Sequence, residues 1–316
     1  METPPSKCLY CYNPLGKNEI DFHPACSRKF FGTNSPPLID FGVDEIKELA
    51  VKILGKSISI TGVQPKLSLD YENKKRRESR LTIVGLWGKF ILKPPFDDYP
   101  QMPEIEDLTM HLAGLLKINT ASHSLIKLKS GQLAYISKRF DRTKNIKLHL
   151  EDMAQLTGTL TEYKYRGSME KIGKVILSHS NFPGNDAVRL FELTLFSYIT
   201  GNSDMHLKNF SLLRDEDDEI ILSPAYDLLS TKLLIPADKE ELALSLNGKK
   251  NNLKKKDFDY FAGKLLISKK ALSEIYSHYQ NSIPLVNEFI PKSFLSNDMK
   301  EKYLLLMSER YKILFE

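Results

Sequence analysis

The apolar residues of this chain change period along its length, and that change limits the fold more than any other feature. Residues 57–71, "SISITGVQPKLSLDY", alternate, and residues 80–95, "RLTIVGLWGKFILKPP", are β-branched and aromatic; the charged link "ENKKRRES" between them reads as an exposed hairpin connection. After the proline-rich break "KPPFDDYPQMP", "EIEDLTMHLAGLLKI" has helical spacing, and "SHSLIKLKSGQLAYISKRFDR" predicts two more strands joined at Ser130 and Gly131. From about residue 150 helices dominate: "HLEDMAQLTG", "SMEKIGKVILSHS", "DAVRLFELTLFSYIT", "KDFDYFAGKLL", "KALSEIYSHYQNSI" and "MKEKYLLLMSERYKILF". Such a chain must build a sheet with one inserted helix and then a helical part, each with its own core. Residues 1–40 are rich in Cys, Pro, Gly and Asn and read as loop-like, with one short basic segment, "CSRKFFG"; residues 42–54 read as a helix stopping at Gly55.

At 316 residues there is enough chain for two lobes. The charge balance, 45 Lys plus Arg against 40 Asp plus Glu, does not announce a nucleic-acid binder. No run of about eighteen apolar residues is present, and the N-terminus lacks the pattern of a secretory signal, so no membrane partner and a cytoplasmic location are expected.

A sheet lobe followed by a helical lobe is the order of a protein-kinase-like phosphotransferase: an α+β, two-lobed fold with a small sheet-containing N-lobe and a mostly helical C-lobe. The motifs test that order. In "ITGNSDMHLKNFSL", Asp204 precedes Asn209 by five residues, the spacing of the acid and amide in a kinase catalytic loop, and Asp227 follows in "SPAYDLLS". An acid to accept a hydroxyl proton and hard oxygen donors for Mg²⁺ are what phosphoryl transfer from ATP requires. The alternative is a polar turn after a helix. Lys93 in "GKFILKPP" ends a predicted strand and is the candidate phosphate lysine, with Glu104 or Glu106 as its carboxylate partner; a solvated surface cation is its plainer role. The only glycine in "SISITGVQPK", Gly62, with Val63 and Gln64, offers a turn over the phosphates, or a simple hairpin.

The segments "SISITGVQPKLSL", "FILKPP", "YISKRFDR", "LEDMAQ", "GNSDMHLKNFSL", "PAYDLLS" and "LALSLNGKK" together resemble, in this order, the HipA family of bacterial serine/threonine kinase toxins. The serine doublet and the roughly 56 residues before the glycine-containing loop resemble HipT, the compact toxin of tripartite HipB–HipS–HipT systems, in which the separate HipS resembles an N-terminal subdomain of HipA. The resemblance implies Asp204 as the residue that activates the substrate hydroxyl, Asn209 and Asp227 as Mg²⁺ ligands, and Lys93 on the ATP phosphates. His206 and Lys208 would support the loop or touch phosphate. Residues 138–140 would be the hinge to adenine, bringing in Lys138 and Phe140, with Ile136 and Phe140 lining an apolar slot. Ser57 and Ser59 would be autophosphorylation sites, their new charge repelling nucleotide; their plainer role is as hydroxyls on a strand face.

The implied function is that of an ATP- and Mg²⁺-dependent serine/threonine protein kinase, the toxin of a HipBST-like module. Its partners would be HipS-like and HipB-like antitoxins, DNA only indirectly through the latter, and an aminoacyl-tRNA synthetase as substrate. A small-molecule phosphotransferase and a nucleotide-binding regulatory pseudokinase are the other readings.

All three cysteines fall in C-x2-C-x11-H-x2-C, formed by Cys8, Cys11, His23 and Cys26, which has the ligand types of a structural Zn²⁺ site; buried reduced thiols are the alternative. The basic runs "KKRR" at 74–77 and "NGKKNNLKKK" at 247–256 are solvated faces or, for the second, a substrate contact through Lys249, Lys250, Lys254 and Lys255. The expected organisation is a Cys/His-containing segment at 1–40, an N-lobe at 41–140 and a C-lobe at 141–316.

Overall fold

The computed structural model of the protein describes residues 6–46, 48, 65–72, 79–84, 88–143 and 146–316. The chain forms two compact units. The first takes Met1–Asp107, Ala121–Phe140 and Lys292–Leu295, and the second Leu108–Thr120, Asp141–Pro291 and Ser296–Glu316.

In the first unit, strands β1 (Leu38–Ile39), β2 (Leu67–Tyr71), β3 (Arg80–Ile83), β4 (Phe90–Lys93), β5 (His123–Lys127) and β6 (Leu133–Lys138) make one sheet in the order β1-β3-β2-β4-β6-β5. Among the described residues of this sheet only the β1–β3 pair is parallel. Side chains alternate across a strand, so register decides which residues meet. Pairing of Leu67 with Leu92 and of Leu92 with Ile136 lines up one face, continued by Leu69, Phe90 and Ala134. The opposite face carries Ile91, Lys93, Tyr135 and Ser137.

The first face is covered by a helix where loop was expected. In "HPACSRKFFG", Pro24 starts helix α1 (Pro24–Phe31), whose φ it pre-sets, and Gly32 ends it in the left-handed conformation with φ 82°. Phe30 and Phe31 pack edge to face at 4.7 Å, and both reach Phe90 at about 6 Å between ring centres. Burying two such rings contributes roughly 1.5–3 kcal/mol each. The basic residues Arg28 and Lys29 occupy the solvent side of the last turn, which is why the segment reads as polar. Helix α2 (Met102–Leu115) follows β4, and the boundary between the units falls inside it, after Asp107.

The second unit contains helices α3 (Met153–Leu156), α4 (Met169–His179), α5 (Pro183–Ile199), α6 (Thr231–Leu234), α7 (Lys255–Lys264), α8 (Lys269–Asn281), α9 (Ile283–Phe289) and α10 (Asn297–Phe315). It also has strands that the helical reading of this half did not anticipate: the hairpin β7 (Arg142–Thr143) and β8 (Ile146–Lys147), and a sheet of β9 (Leu150–Asp152), β10 (Ser211–Arg214) and β11 (Ile220–Leu222) in the order β11-β10-β9. The stretch "HLEDMAQLTG" is therefore a strand followed by a single helical turn. Asp152 ends β9 and caps α3: its carboxylate accepts from Gln155 N at 2.9 Å while the Gln155 side chain accepts from Asp152 N at 2.9 Å. Helix α5 is tied to β11 by the nearly buried Asp186, which accepts from Leu222 N and pairs with Arg189, itself donating to the carbonyls of Leu222 and Ser223. No helix among the described residues is long and apolar enough to cross a membrane.

Candidate functional site

The loop after α5 is built from backbone outward. Gly201 turns the chain with φ 65°, and a Cβ there would lie 2.8 Å from the side chains of Leu306 and Lys232, so both conformation and space call for glycine. Asn202 then accepts from Asp204 N at 3.1 Å, and the Asp204 carbonyl receives His206 N at 2.8 Å and Asn209 Nδ2 at 3.0 Å. The five-residue spacing from Asp204 to Asn209 is thus closed by a hydrogen bond. That bond fixes the amide: with Nδ2 donating inward, Asn209 presents Oδ1 as a hard oxygen donor, the atom type Mg²⁺ takes.

The Asp204 carboxylate stays half-buried and accepts from the Tyr165 hydroxyl at 2.5 Å. Burial, this bond and the carboxylates of Asp204, Glu240 and Asp227 together push the Tyr165 phenol well above its ordinary range, so the hydroxyl stays a donor. Those same electrostatic couplings put Asp204 and Asp227 in one acidic neighbourhood. Asp227 itself has φ 61°, a left-handed backbone that Asp tolerates better than most residues. Its neighbour Tyr226 fastens the "YDLLS" segment to the loop: the phenol shares a hydrogen bond with Ser211 Oγ at 2.6 Å and donates to the Lys208 carbonyl at 2.9 Å.

His206 is buried, stands edge-on to Tyr165 at 5.1 Å, and its Nδ1 has no hydrogen-bond partner among the described residues. Burial pulls its pKa down, with Lys164 acting the same way and Asp204 and Asp227 opposing, so the ring is neutral near pH 7. An orphaned buried nitrogen beside two carboxylates fits a site that receives a polar ligand. Lys208 ends at 3.1 Å from the Asp152 carboxylate, which gives "LEDMAQ" its structural sense: one aspartate caps α3 and pins the loop lysine.

In the first unit, Lys93 is 5% exposed and bonded to Glu106 at 2.5 Å, which resolves the partner in favour of Glu106 over Glu104 and excludes a solvated surface cation. Its ammonium also lies 5.3 Å from the centre of the Tyr135 ring. Beside this pair, Asp107 accepts from Tyr12 at 2.7 Å and bonds His123 at 2.7 Å. Glu104, one turn earlier on α2, has its carboxyl raised to about 6 by burial, with Asp107 adding to the shift.

Two expectations about the hinge need correction. Ile136 lies on the face of the sheet opposite Lys93, in the core under α1, and so cannot line a slot beside that lysine; Tyr135, Ser137 and Ile91 hold the matching positions. The Lys138 side chain also points to the core face, 5.9 Å from the Phe30 ring, where burial lowers its pKa. The N–H groups of Lys138 and Arg139 already donate to the carbonyls of Ser122 and Lys89, while Phe140 closes the first unit half-buried. Strand alternation in "LAYISK" carried this information.

Lys249 is engaged within the second unit. It pairs at 2.9 Å with Asp257, which is fully buried and also accepts from Asn247 and from Lys254 N; although burial opposes ionisation, these donors hold the Asp257 carboxyl below its usual range. Lys250 pairs with Glu240 at 3.2 Å and Lys255 lies over the Tyr276 ring. Ser57, Ser59, Gly62, Val63, Gln64 and the run at 74–77 fall outside the described residues.

Cys8, Cys11, His23 and Cys26 meet in the first unit, their ligand atoms all within 4.8 Å of one another.

Comparison with known proteins follows the same segments. The family model described as HipA-like C-terminal domain matches residues 58–285. A protein of Sinorhizobium fredii named "Putative kinase Y4dM" is 32% identical over 252 residues, 76% of this chain and 60% of that protein. The "Serine/threonine-protein kinase toxin HipA" of Shewanella oneidensis is 26% identical over 210 residues, 60% of this chain and 47% of that protein. The chain thus spans about half to three fifths of the length of these relatives. Among solved structures, Shewanella oneidensis HipA, in its complex with HipB and operator DNA, matches with a TM-score of 0.69 at 21% identity, covering 88% of this chain and 72% of that one. The Helicobacter pylori kinase CtkA matches at 0.54 and 17% identity, covering 78% and 95%. The fold is α+β, two-lobed and protein-kinase-like.

Proposed function

This chain belongs to the HipA-like C-terminal domain family, and from that premise we propose that it is an ATP- and Mg²⁺-dependent serine/threonine protein kinase, the toxin of a HipBST-like toxin–antitoxin module acting in the cytoplasm. The observation that carries the reading is the loop in which Asp204 keeps a half-buried carboxylate while its carbonyl is bonded by the Asn209 amide. A structural polar turn has no need of such a carboxylate, of a second carboxylate, Asp227, acting on the same tyrosine and histidine, and of a buried, unpartnered imidazole nitrogen together.

In this reading Asp204 accepts the proton of a serine or threonine hydroxyl as its oxygen attacks the γ-phosphorus, and ADP leaves. Asn209 Oδ1 and the Asp227 carboxylate are the oxygen donors for Mg²⁺, which when bound neutralises phosphate charge. Lys93, oriented by Glu106, binds the ATP phosphates, and His206 offers a neutral nitrogen to the nucleotide or its transferred group. Adenine is met by backbone groups of residues 138–140 other than the N–H groups of Lys138 and Arg139, which are engaged within the first unit, and Gly62, Val63 and Gln64 cover the phosphates. Ser57 and Ser59 are the autophosphorylation sites, and their added charge opposes nucleotide binding. By the family likeness the substrate is an aminoacyl-tRNA synthetase and the partners are HipS-like and HipB-like proteins, with DNA met only through the latter; the Shewanella HipA structure, which includes HipB and operator DNA, supports a HipB-like partner.

The test is intact-protein mass after incubation with ATP and Mg²⁺, for wild type and Asp204→Asn, with peptide mapping. Phosphate on Ser57 or Ser59 in wild type alone is the expected result. No gain in mass by an initially unphosphorylated protein that binds ATP would remove the self-modifying kinase and favour a small-molecule phosphotransferase or a regulatory pseudokinase.

A further inference from the structure

The N-terminal cluster lies outside the proposed kinase chemistry, and three features of it point the same way. The first is distance. His23 Nδ1 is 3.4 Å from Cys11 Sγ and 3.7 Å from Cys26 Sγ, with Cys8 Sγ inside the same 4.8 Å group. A tetrahedral centre with Zn–S of about 2.3 Å and Zn–N of about 2.0–2.1 Å has S···N edges of roughly 3.5–3.6 Å, between the two observed values.

The second is the histidine tautomer. His23 Nε2 lies 3.0 Å from the Pro14 carbonyl, which can only accept, and 3.7 Å from Glu19 Oε2. The proton is therefore on Nε2, and the lone pair of Nδ1 faces the thiols, the arrangement that second-sphere groups impose on a metal-binding imidazole.

The third is the backbone. Cys8 and Cys11 bracket a tight turn in which Tyr12 N donates to the Cys8 carbonyl at 2.9 Å and Cys8 N to Asn13 O at 2.9 Å, with Tyr12 at φ 64°. His23 is the N-cap of α1 and Cys26 lies in its first turn. Two short turns thus each deliver two ligands. A single disulfide would use two of the thiols and leave the third sulfur and the imidazole packed against it.

We propose that Cys8, Cys11, His23 and Cys26 bind one Zn²⁺ in a closed structural site that fastens the 8–12 turn to helix α1. Four protein ligands leave no position for substrate, so the ion's work is to hold α1, and with it Phe30 and Phe31, against β4. The inference is independent of the kinase reading, because its readouts are metal content and spectrum.

The full-length chain, purified without a polyhistidine tag or chelator, is expected to carry about one zinc per chain by elemental mass spectrometry, as four protein ligands require. After removal of zinc, Co²⁺ is the probe: thiolate-to-metal charge-transfer bands and intense visible bands of tetrahedral Co²⁺ are expected, and chelation should lower the temperature of thermal unfolding. Cys11→Ser and His23→Ala lose the metal, while His23→Cys retains it and shifts the visible Co²⁺ bands. Folded wild-type protein with no zinc and a silent Co²⁺ titration would overturn the site, and so would a disulfide among these cysteines found by non-reducing mass analysis. Both decisive readings use the wild-type chain, so a variant that fails to fold leaves the test intact.

Discussion

Lys93 meets Glu106 with 6% and 1% of their side chains exposed, whereas Asp204 keeps a half-buried carboxylate and is fixed mainly through its backbone carbonyl and amide. The two arrangements suit two tasks. A cation that must hold a fixed position can be locked in an ion pair, because ionic attraction in a poorly solvated place is strong and geometry is all it supplies. A carboxylate that must take up a proton has to stay accessible and unneutralised, so the fold secures its main chain and leaves its oxygens to one phenol. The first unit therefore stores charge as structure, and the second spends backbone hydrogen bonds to keep a charge usable.

The sharpest way to break this comparison is Asp204→Asn. Loss of a positioned base is expected to lower ADP production by about 10²–10⁴-fold, while thermal unfolding stays where it was. A comparable fall in unfolding temperature would put Asp204 with the structural charges. Lys93→Met, unlike Asp204→Asn, should lower stability as well as activity, leaving Glu106 buried without its cation and costing about 3–5 kcal/mol in urea unfolding; a neutral result would mean the pair is solvated in solution. Next comes Asp152→Ala, which removes a helix cap and the partner of Lys208, at about 1–2 kcal/mol by the same measurement. Tyr165→Phe removes the donor to a half-exposed carboxylate and should lower turnover by about fivefold, roughly 1 kcal/mol, without changing stability.

A further effect concerns pH. The Glu104 carboxyl is raised from 4.5 to about 6 in the folded chain. Below pH 4.5 it is protonated folded or unfolded and costs nothing. As pH rises from 4.5 to 6 the unfolded chain ionises first, so stability falls, by about 1–2 kcal/mol after allowing for partial exposure, and stays lower above that. Glu104→Gln should flatten this step in the pH dependence of unfolding. An unchanged step would assign it to other groups.

Much of this was legible in the residues. The alternating segment at 57–71 holds β2, the β-branched and aromatic one at 80–95 holds β3 and β4, the two strands read in the following sheet segment are β5 and β6, and the long helices after residue 150 stand where helical spacing placed them. The α+β class and the kinase-like architecture were readable from that order, and the relation to the HipA family from the motifs. What escaped were features decided by tertiary contact. Helix α1 has only eight residues and a polar outer face, and its identity rests on two rings burying themselves against Phe90. Strand β9 is three residues long and exists because β10 pairs with it. Lys249 looks like every other lysine in its run, yet it alone pairs with the buried Asp257. Ile136 was misplaced although alternation along β6 could have excluded it, because the hinge was read as a segment and not face by face.

One feature bears on how this protein can be cut. The matched family region begins at residue 58, which invites truncation there. Yet Phe90, Leu92 and Ile136, none more than 1% exposed, share one hydrophobic core with Cys8, Leu9, Phe22, Phe30 and Phe31. A chain begun at residue 58 would therefore present a bare aromatic and aliphatic sheet to water, a sticky surface of the kind that drives self-association. Such a fragment should precipitate or form oligomers during purification even with its catalytic loop intact, and its inactivity would say nothing about the chemistry of Asp204.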